Sequence, residues 1–536
     1  MPFYLSVINF LLIVILSASL DYAQENFRIF PSLMTQTEPV VSINPINPNL
    51  IAISAKTINT ATSFTSEGVY ISIDGGLTWF GTDTCKGNLI QNHGGSPQIV
   101  VDRNGRLILT HIGNPQLFVG IYSHYSNDLG STWTSAFTIS SDQPEDKGSS
   151  TIDNSITSPY FSRLYTAWIN QTNPTNPVSF SLSTNSGQSW ISPNLININA
   201  FERSSGGFVR SGKDGKVYLC WAGMSSIAPF IEDSVGFALS SDGGDSWTEN
   251  KIIYNVNGIF GTLPSKNGIR VNGLPQLAVD NSNGPRSGLI YIVTTEKNNP
   301  PAGNDPDIVL HYSSNGGASW SPGIRVNQDP LNDGKIQYFP AIDIDSSGGI
   351  NILFYDDRNT SSDSTEVWLA RSSDGGNTWK EQVVSDHRFK PKPIVGGASN
   401  YQGDHIALIS SGSKLYALWM DDFSGIYQIW MKILDLNILA LNDNTPTSIN
   451  FDLKQNFPNP FNPETKISFT IPKKAYTSLK IYDLLGREKS VLVNGELDYG
   501  IHTINFTPDK SFPSGVYIYR LLSGGYSSAK KLILIK

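Results

Sequence analysis

Short runs of alternating or wholly apolar residues, each closed by Gly, Pro, Asn or Asp, recur along most of this chain. One set reads Pro39–Ile43, Pro97–Asp102, Pro275–Asp280 and Pro340–Asp345, and a second follows after tight turns: Arg106–Thr110, Arg163–Trp168, Lys216–Trp221, Leu289–Val293, Ile350–Tyr355 and Lys414–Trp419. Five or six residues of this kind between turn signals predict strands, and helical periodicity is nearly absent outside the N-terminus. The fold class expected is all-β.

Between these strands one pattern, Ser/Thr-x-Asp/Asn-x-Gly-x-Ser/Thr-Trp, occurs six times. Its acidic or amide positions are Asp74, Asp128, Asn185, Asp242, Asn315 and Asp374, and its tryptophans are Trp79, Trp133, Trp190, Trp247, Trp320 and Trp379. The copies stand roughly 54–73 residues apart, a period of repeat arrays. An Asx side chain accepts hydrogen bonds from backbone N–H groups ahead of it, the Gly supplies a positive φ, and the Trp covers the turn. Asn at two positions means that no charge is required there, which points to structure rather than acid catalysis or calcium ligation.

The pattern resembles the Asp-box of the sialidase-like, or BNR-repeat, β-propellers. That resemblance implies blades of four strands each. A seventh unit, from Gly403 to Ile433, has three strands and no box, and Asn26–Phe30 resembles the stretches that follow the other boxes. Pairing the two would join the ends of the chain and leave no open sheet edge. Seven blades are therefore expected, with six as the alternative, the number found in the sialidase enzymes.

After a polar linker at 437–448, the segment 449–536 changes character. Ile467, Phe469 and Ile471, then Val516 and Ile518, alternate between Pro- and Gly-marked turns, as in a small antiparallel sandwich. Its Asn456-Phe-Pro-Asn-Pro-Phe-Asn-Pro463, Tyr482-Asp-Leu-Leu-Gly-Arg487 and Gly515-Val-Tyr-Ile-Tyr-Arg520 elements resemble the Ig-like, type A C-terminal sorting domain of the type IX secretion system. The resemblance implies recognition by that machinery and delivery to the outer surface of a Gram-negative cell, or release from it.

The apolar run Phe3–Leu16, followed by small residues near Ser19 and Ala23, has the layout of a secretory signal peptide over residues 1–23, although no Lys or Arg precedes it; an uncleaved anchor is the alternative. No other stretch could span a bilayer. The β-propeller is then expected over 24–436. Composition agrees: 47 Gly, 11 Trp, 22 Tyr and 25 Phe suit a large turn-rich β-protein. A net charge of −8 provides no basic footprint for nucleic acid. Cys85 and Cys220 fall in distant units, so no disulfide is expected.

The longer connections, including Thr82–Ser96, Asn255–Leu274, Thr294–Asp307 and Asp386–Gln402, are expected on the face opposite the boxes, and chemistry is expected there. Candidate residues on that face are Asp356, Asp357, Arg358, Tyr401, Asp404 and Asp421, with Glu202, Arg203, His405 and Asp422 beside them. Loop capping and ion pairing are the structural alternative for the acidic pairs. A sialidase needs an arginine cluster, a Tyr–Glu nucleophile pair and an acid/base Asp. Phe27-Arg28-Ile29-Phe30-Pro31 resembles the family's arginine-bearing element with an extra residue, and the remaining set does not carry over. No cofactor is expected; calcium at Asn304–Asp307 has no regular ligand spacing behind it. Three functions stay open: a surface propeller binding glycan or protein, a glycoside hydrolase, and a structural or adhesive surface component.

Overall fold

The computed structural model describes residues 26–437 and 452–536, apart from 86–92, 114–119, 142–144, 199–202, 457, 472–474 and 498–499. The signal-peptide segment, Glu202 and most of the linker lie outside the described residues. The chain divides into two compact units, Met1–Leu439 and Ala440–Lys536.

The described residues of the first unit form seven four-stranded antiparallel sheets. Sheet one consists of Thr35–Ile43, Ile51–Asn59, Phe64–Ser72 and Phe80–Thr82. Sheets two to six repeat that order, opening on His93–Val101, Glu145–Ile152, Arg203–Ser211, Gln276–Val279 and Gln337–Ile344. Sheet seven holds Ala407–Ser411, Lys414–Asp421 and Gln428–Asp435, and its fourth strand is Phe27–Arg28 from the other end of the unit. Each opening strand touches the next, and that of sheet seven touches that of sheet one, so the contacts form a closed cycle.

Three of the opening strands begin several residues before the apolar runs that mark them in the sequence, because a bulge interrupts the ladder at Thr37/Val40, Gly95/Gln98 and Tyr338/Ala341. A bulge breaks the two-residue alternation, which hides the N-terminal part of the strand from a periodicity reading.

Burial follows the cycle. Apolar clusters sit between consecutive sheets, for example Ala52, Ile71, Val101 and Leu109 between sheets one and two, and Tyr218, Phe237, Leu277 and Ile292 between sheets four and five. Cys85 and Cys220 are buried free thiols in these two clusters.

The boxes are wedges at these junctions. In the first, Ser72 Oγ accepts from Gly76 N at 2.8 Å, Asp74 Oδ1 accepts from Thr78 N at 2.9 Å, and Thr78 Oγ1 donates to Asp74 Oδ2 at 2.5 Å. These bonds hold the Asp74 carboxyl down at about 2. At Asn185 the last bond reverses: its Nδ2 donates to Ser189 Oγ at 2.8 Å, which explains why the amide serves as well. Gly76, at φ +92°, packs against Tyr416 and Ile433 of sheet seven, and Gly317, at φ +89°, against Phe237 of sheet four.

Cations reinforce the junctions. Arg106 Nη1 donates to Ser186 O in the box of the following sheet, Arg163 Nη1 to Gly243 O, Arg286 Nη2 to Ser373 O, and Lys414 Nζ to Gly75 O across the closure. The turns joining first and second strands lie on this same rim, since Gly75 N donates to Asn49 O and Asn44 Nδ2 donates to Asp102 O.

The second unit contains a three-stranded sheet of Asp452–Leu453, Thr465–Ile471 and Gly500–Phe506, and a four-stranded sheet ordered Glu488–Leu497, Ala475–Tyr482, Gly515–Ser523 and Tyr526–Leu534. Ile467, Phe469 and Ile471 of the first share one core with Leu479, Ile481, Tyr519 and Leu521 of the second.

Candidate functional site

A cavity of about 380 Å³ runs between the opening strands, and residues of all seven sheets line it. Its middle is aliphatic, with Val41, Ile99, Ile342 and Leu408 among the walls. The end toward the long connections carries Glu38, Ser96, Asn272, Asp404 and His405. The opposite end, near the box rim, carries Arg210, Asn154, Asn281 and Asp343.

The long-connection end is built by segments far apart in sequence. Arg270, on the short strand Ile269–Val271, donates to both oxygens of Asp404, at 2.7 and 3.3 Å, while Asn272 Nδ2 donates to the Asp404 carbonyl at 3.2 Å. Tyr401 exchanges a 3.1 Å hydroxyl bond with Thr37, and Lys56 and Arg270 lie over its ring at 4.4 and 5.1 Å. Burial, then the carboxylates of Glu38 and Asp404, push its hydroxyl well above the ordinary value. Tyr401 is 1% exposed and is not part of the cavity wall, so it supports the site from behind.

The remaining candidates lie elsewhere. Asp356 ends the strand Ile350–Asp356 and is fully buried, accepting from Arg358 N and Nε at 2.7 Å. Arg358 also donates to both oxygens of Glu381, at 2.6 and 2.8 Å, and lies over Trp368. Burial pushes Asp356 up to about 6 against the pull of Arg358. Asp357 is buried and accepts from Lys266 Nζ at 2.6 Å and Ile336 N at 2.7 Å; Lys266 completes its three bonds on the carbonyls of Ser362 and Ser364. Asp421 accepts from Trp419 Nε1 at 2.6 Å and faces His387 Nε2 at 2.9 Å, and Asp422 pairs with Lys392. These groups tie loops to strand ends. Arg203 is exposed, and Arg28 lies in the closing strand.

Asp305 accepts from Gly334 N, and Asp307 from Gly303 N and Arg325 Nε. Among the described residues no group of three or more His, Cys, Asp or Glu side chains is placed to hold a metal ion. No helix of the described residues is long and apolar enough to cross a membrane.

Glu38, Lys56, Arg270 and Asn272 are not evident as site residues in the sequence. Glu38, Ser96 and Phe339 each precede a proline with φ of +54°, +46° and +52°, so this backbone marks the bulges of the opening strands and does not single out Glu38.

Comparison with known proteins gives one family match and several structural similarities. In structure the chain is similar to a protein of unknown function from Dyadobacter fermentans, 12% identical with a TM-score of 0.44, covering 77% of this chain and 98% of that one. It is also similar to the α-L-arabinofuranosidase Arb93A from Fusarium graminearum, solved with an iminosugar inhibitor (12% identity, TM-score 0.39, 64% and 92% covered). A third is the intramolecular trans-sialidase from Ruminococcus gnavus, solved with oseltamivir carboxylate (13% identity, TM-score 0.35, 77% and 97% covered). No curated protein matches the chain. The family model that matches is the secretion system C-terminal sorting domain, over residues 455–536, and this segment of the chain is such a domain.

Proposed function

We propose that the chain is a seven-bladed, Asp-box β-propeller that the type IX route exports to the outer cell surface or beyond, and that binds a glycan at the long-connection end of its central cavity. An Ig-like sandwich at the C-terminus serves as the export tag. The observation that carries the binding reading is the cavity itself, walled by seven strands and edged at one end by Glu38, Asn272, Asp404 and His405. Carboxylate, amide and imidazole groups above an aliphatic wall match the hydroxyls and the apolar ring face of a sugar. Arg270 fixes Asp404 in place, so the edge is organised before a ligand arrives.

The test is a glycan array followed by titration calorimetry on the mature chain. Asn272→Ala and Asp404→Asn are expected to weaken the best glycan at least tenfold, while Arg106→Ala on the box rim leaves it unchanged. An array with no glycan above background contradicts the reading.

A second reading, glycoside hydrolysis, is favoured by the carboxylate of Glu38 beside the Tyr401 hydroxyl. The burial of Tyr401 behind the cavity wall weighs against it as a nucleophile. Release of fluorophore from a sialoside or arabinoside, lost in Tyr401→Phe, would replace the binding reading by hydrolysis.

A further inference from the structure

The box-rim end of the cavity holds two opposite charges that do not meet. Arg210 extends from the opening strand of sheet four, where Gly206, Phe208 and Arg210 alternate toward the cavity while Val209 is buried in the sheet. Its guanidinium lies over the Phe208 ring at 4.1 Å, and Nη1 donates to Val209 O at 2.8 Å, its one hydrogen bond among the described residues. Asp343 comes from the opening strand of sheet six and lines the same cavity. Ser410 bonds to its carboxyl group, and Oδ2 is buried with no hydrogen-bond partner among the described residues. The two side chains feel each other's charge but share no hydrogen bond or ion pair.

Both side chains are half-buried and line the cavity, where each keeps only part of its hydration; a carboxylate and a guanidinium so placed are normally paired directly. Burial depresses Arg210 to about 10 and raises Asp343 to about 6, in keeping with two partly uncompensated charges. Here sheet five stands between their sheets and holds the strands apart. A ligand with a carboxylate at one end and an ammonium at the other would satisfy both groups, and a cavity of about 380 Å³ has room for it.

We propose that the box-rim end of the central cavity binds a small zwitterion, an amino acid or ω-amino acid, whose carboxylate meets Arg210 and whose ammonium meets Asp343. The site uses residues different from those of the proposed glycan site, so either can fail alone.

The experiment is calorimetric titration of the mature full chain with glycine, β-alanine, γ-aminobutyrate and 6-aminohexanoate, with acetate and methylammonium as single-charge probes. One chain length is expected to bind at least tenfold more tightly than either single-charge probe. Arg210→Gln, shorter but polar and uncharged, and Asp343→Asn, of the same size, are each expected to weaken it at least tenfold. Glycan binding in both variants, together with unchanged circular dichroism, shows that they remain folded; should Asp343→Asn fail to fold, Arg210→Gln alone decides. Acetate binding as tightly as every zwitterion, affinity untouched by Arg210→Gln, or no binding across the series would each overturn the proposal.

Discussion

Arg28 lies opposite Trp430 in an antiparallel ladder, so the described β-structure of the first unit begins and ends in one sheet. The next residue, Ile29, donates its N–H to Ile429 O at 3.0 Å and is buried, and Gln428 Nε2 donates to Met34 O at 2.7 Å. The first strand is thus the clasp of the cycle. Removing buried Ile side-chain volume costs about 2–5 kcal/mol. Ile29→Ala is expected to lose stability in that range in denaturant unfolding of the mature chain, whereas Ile46→Ala, at an exposed position, changes it little.

The wedge role of the boxes separates two glycines with similar backbones. A Cβ on Gly317 would fall 2.1 Å from Phe237 Cε1, at φ +89°, while one on Gly268, at φ +71°, meets nothing within 4 Å. Left-handed backbone alone costs a non-glycine residue about 1–2 kcal/mol, and overpacking adds about 1–3 kcal/mol. Gly317→Ala is expected to show the sum and Gly268→Ala the first part only, read from thermal unfolding.

Lys266 and Asp357 form a buried pair with every Lys266 proton bonded. Breaking one side of such a pair costs about 3–5 kcal/mol. Lys266→Met is expected to destabilise by that amount and to expose the 357–365 connection to limited proteolysis; the double variant with Asp357→Leu recovers part of the loss.

His387 faces a carboxylate at each ring nitrogen, Asp386 Oδ1 at 2.7 Å and Asp421 Oδ2 at 2.9 Å, and stacks on Phe423. Burial acts to lower its pKa, but the bonds and charges of Asp421 and Asp386 prevail and raise it. The folded value therefore exceeds the unfolded one of about 6.5. Its stabilisation is full below about pH 6.5 and is lost as pH rises through the folded value. His387→Gln is expected to remove that slope from a stability–pH profile, and an unchanged profile would refute the charged form.

The boxes were legible because their bonds close within four residues, as from Asp74 to Thr78, so that one short string contains the whole device. The clasp was legible for a related reason: Asn26–Phe30 repeats the local pattern of strands that follow boxes. The site was not. Asp404 owes its position to Arg270, 134 residues upstream, and Asp357 owes its burial to Lys266, 91 residues upstream. Acidic pairs in sequence do not disclose such partners, so Asp356 and Asp357 stay open there to loop-face chemistry and to capping and ion pairing; both are fully buried and bonded.

The most direct measurement is the affinity of the mature chain for its best array glycan, compared between Asn272→Ala and Arg106→Ala. Loss of at least tenfold in the first with no change in the second is expected. Equal affinity in both, or equal loss in both, would contradict binding at the long-connection end of the cavity.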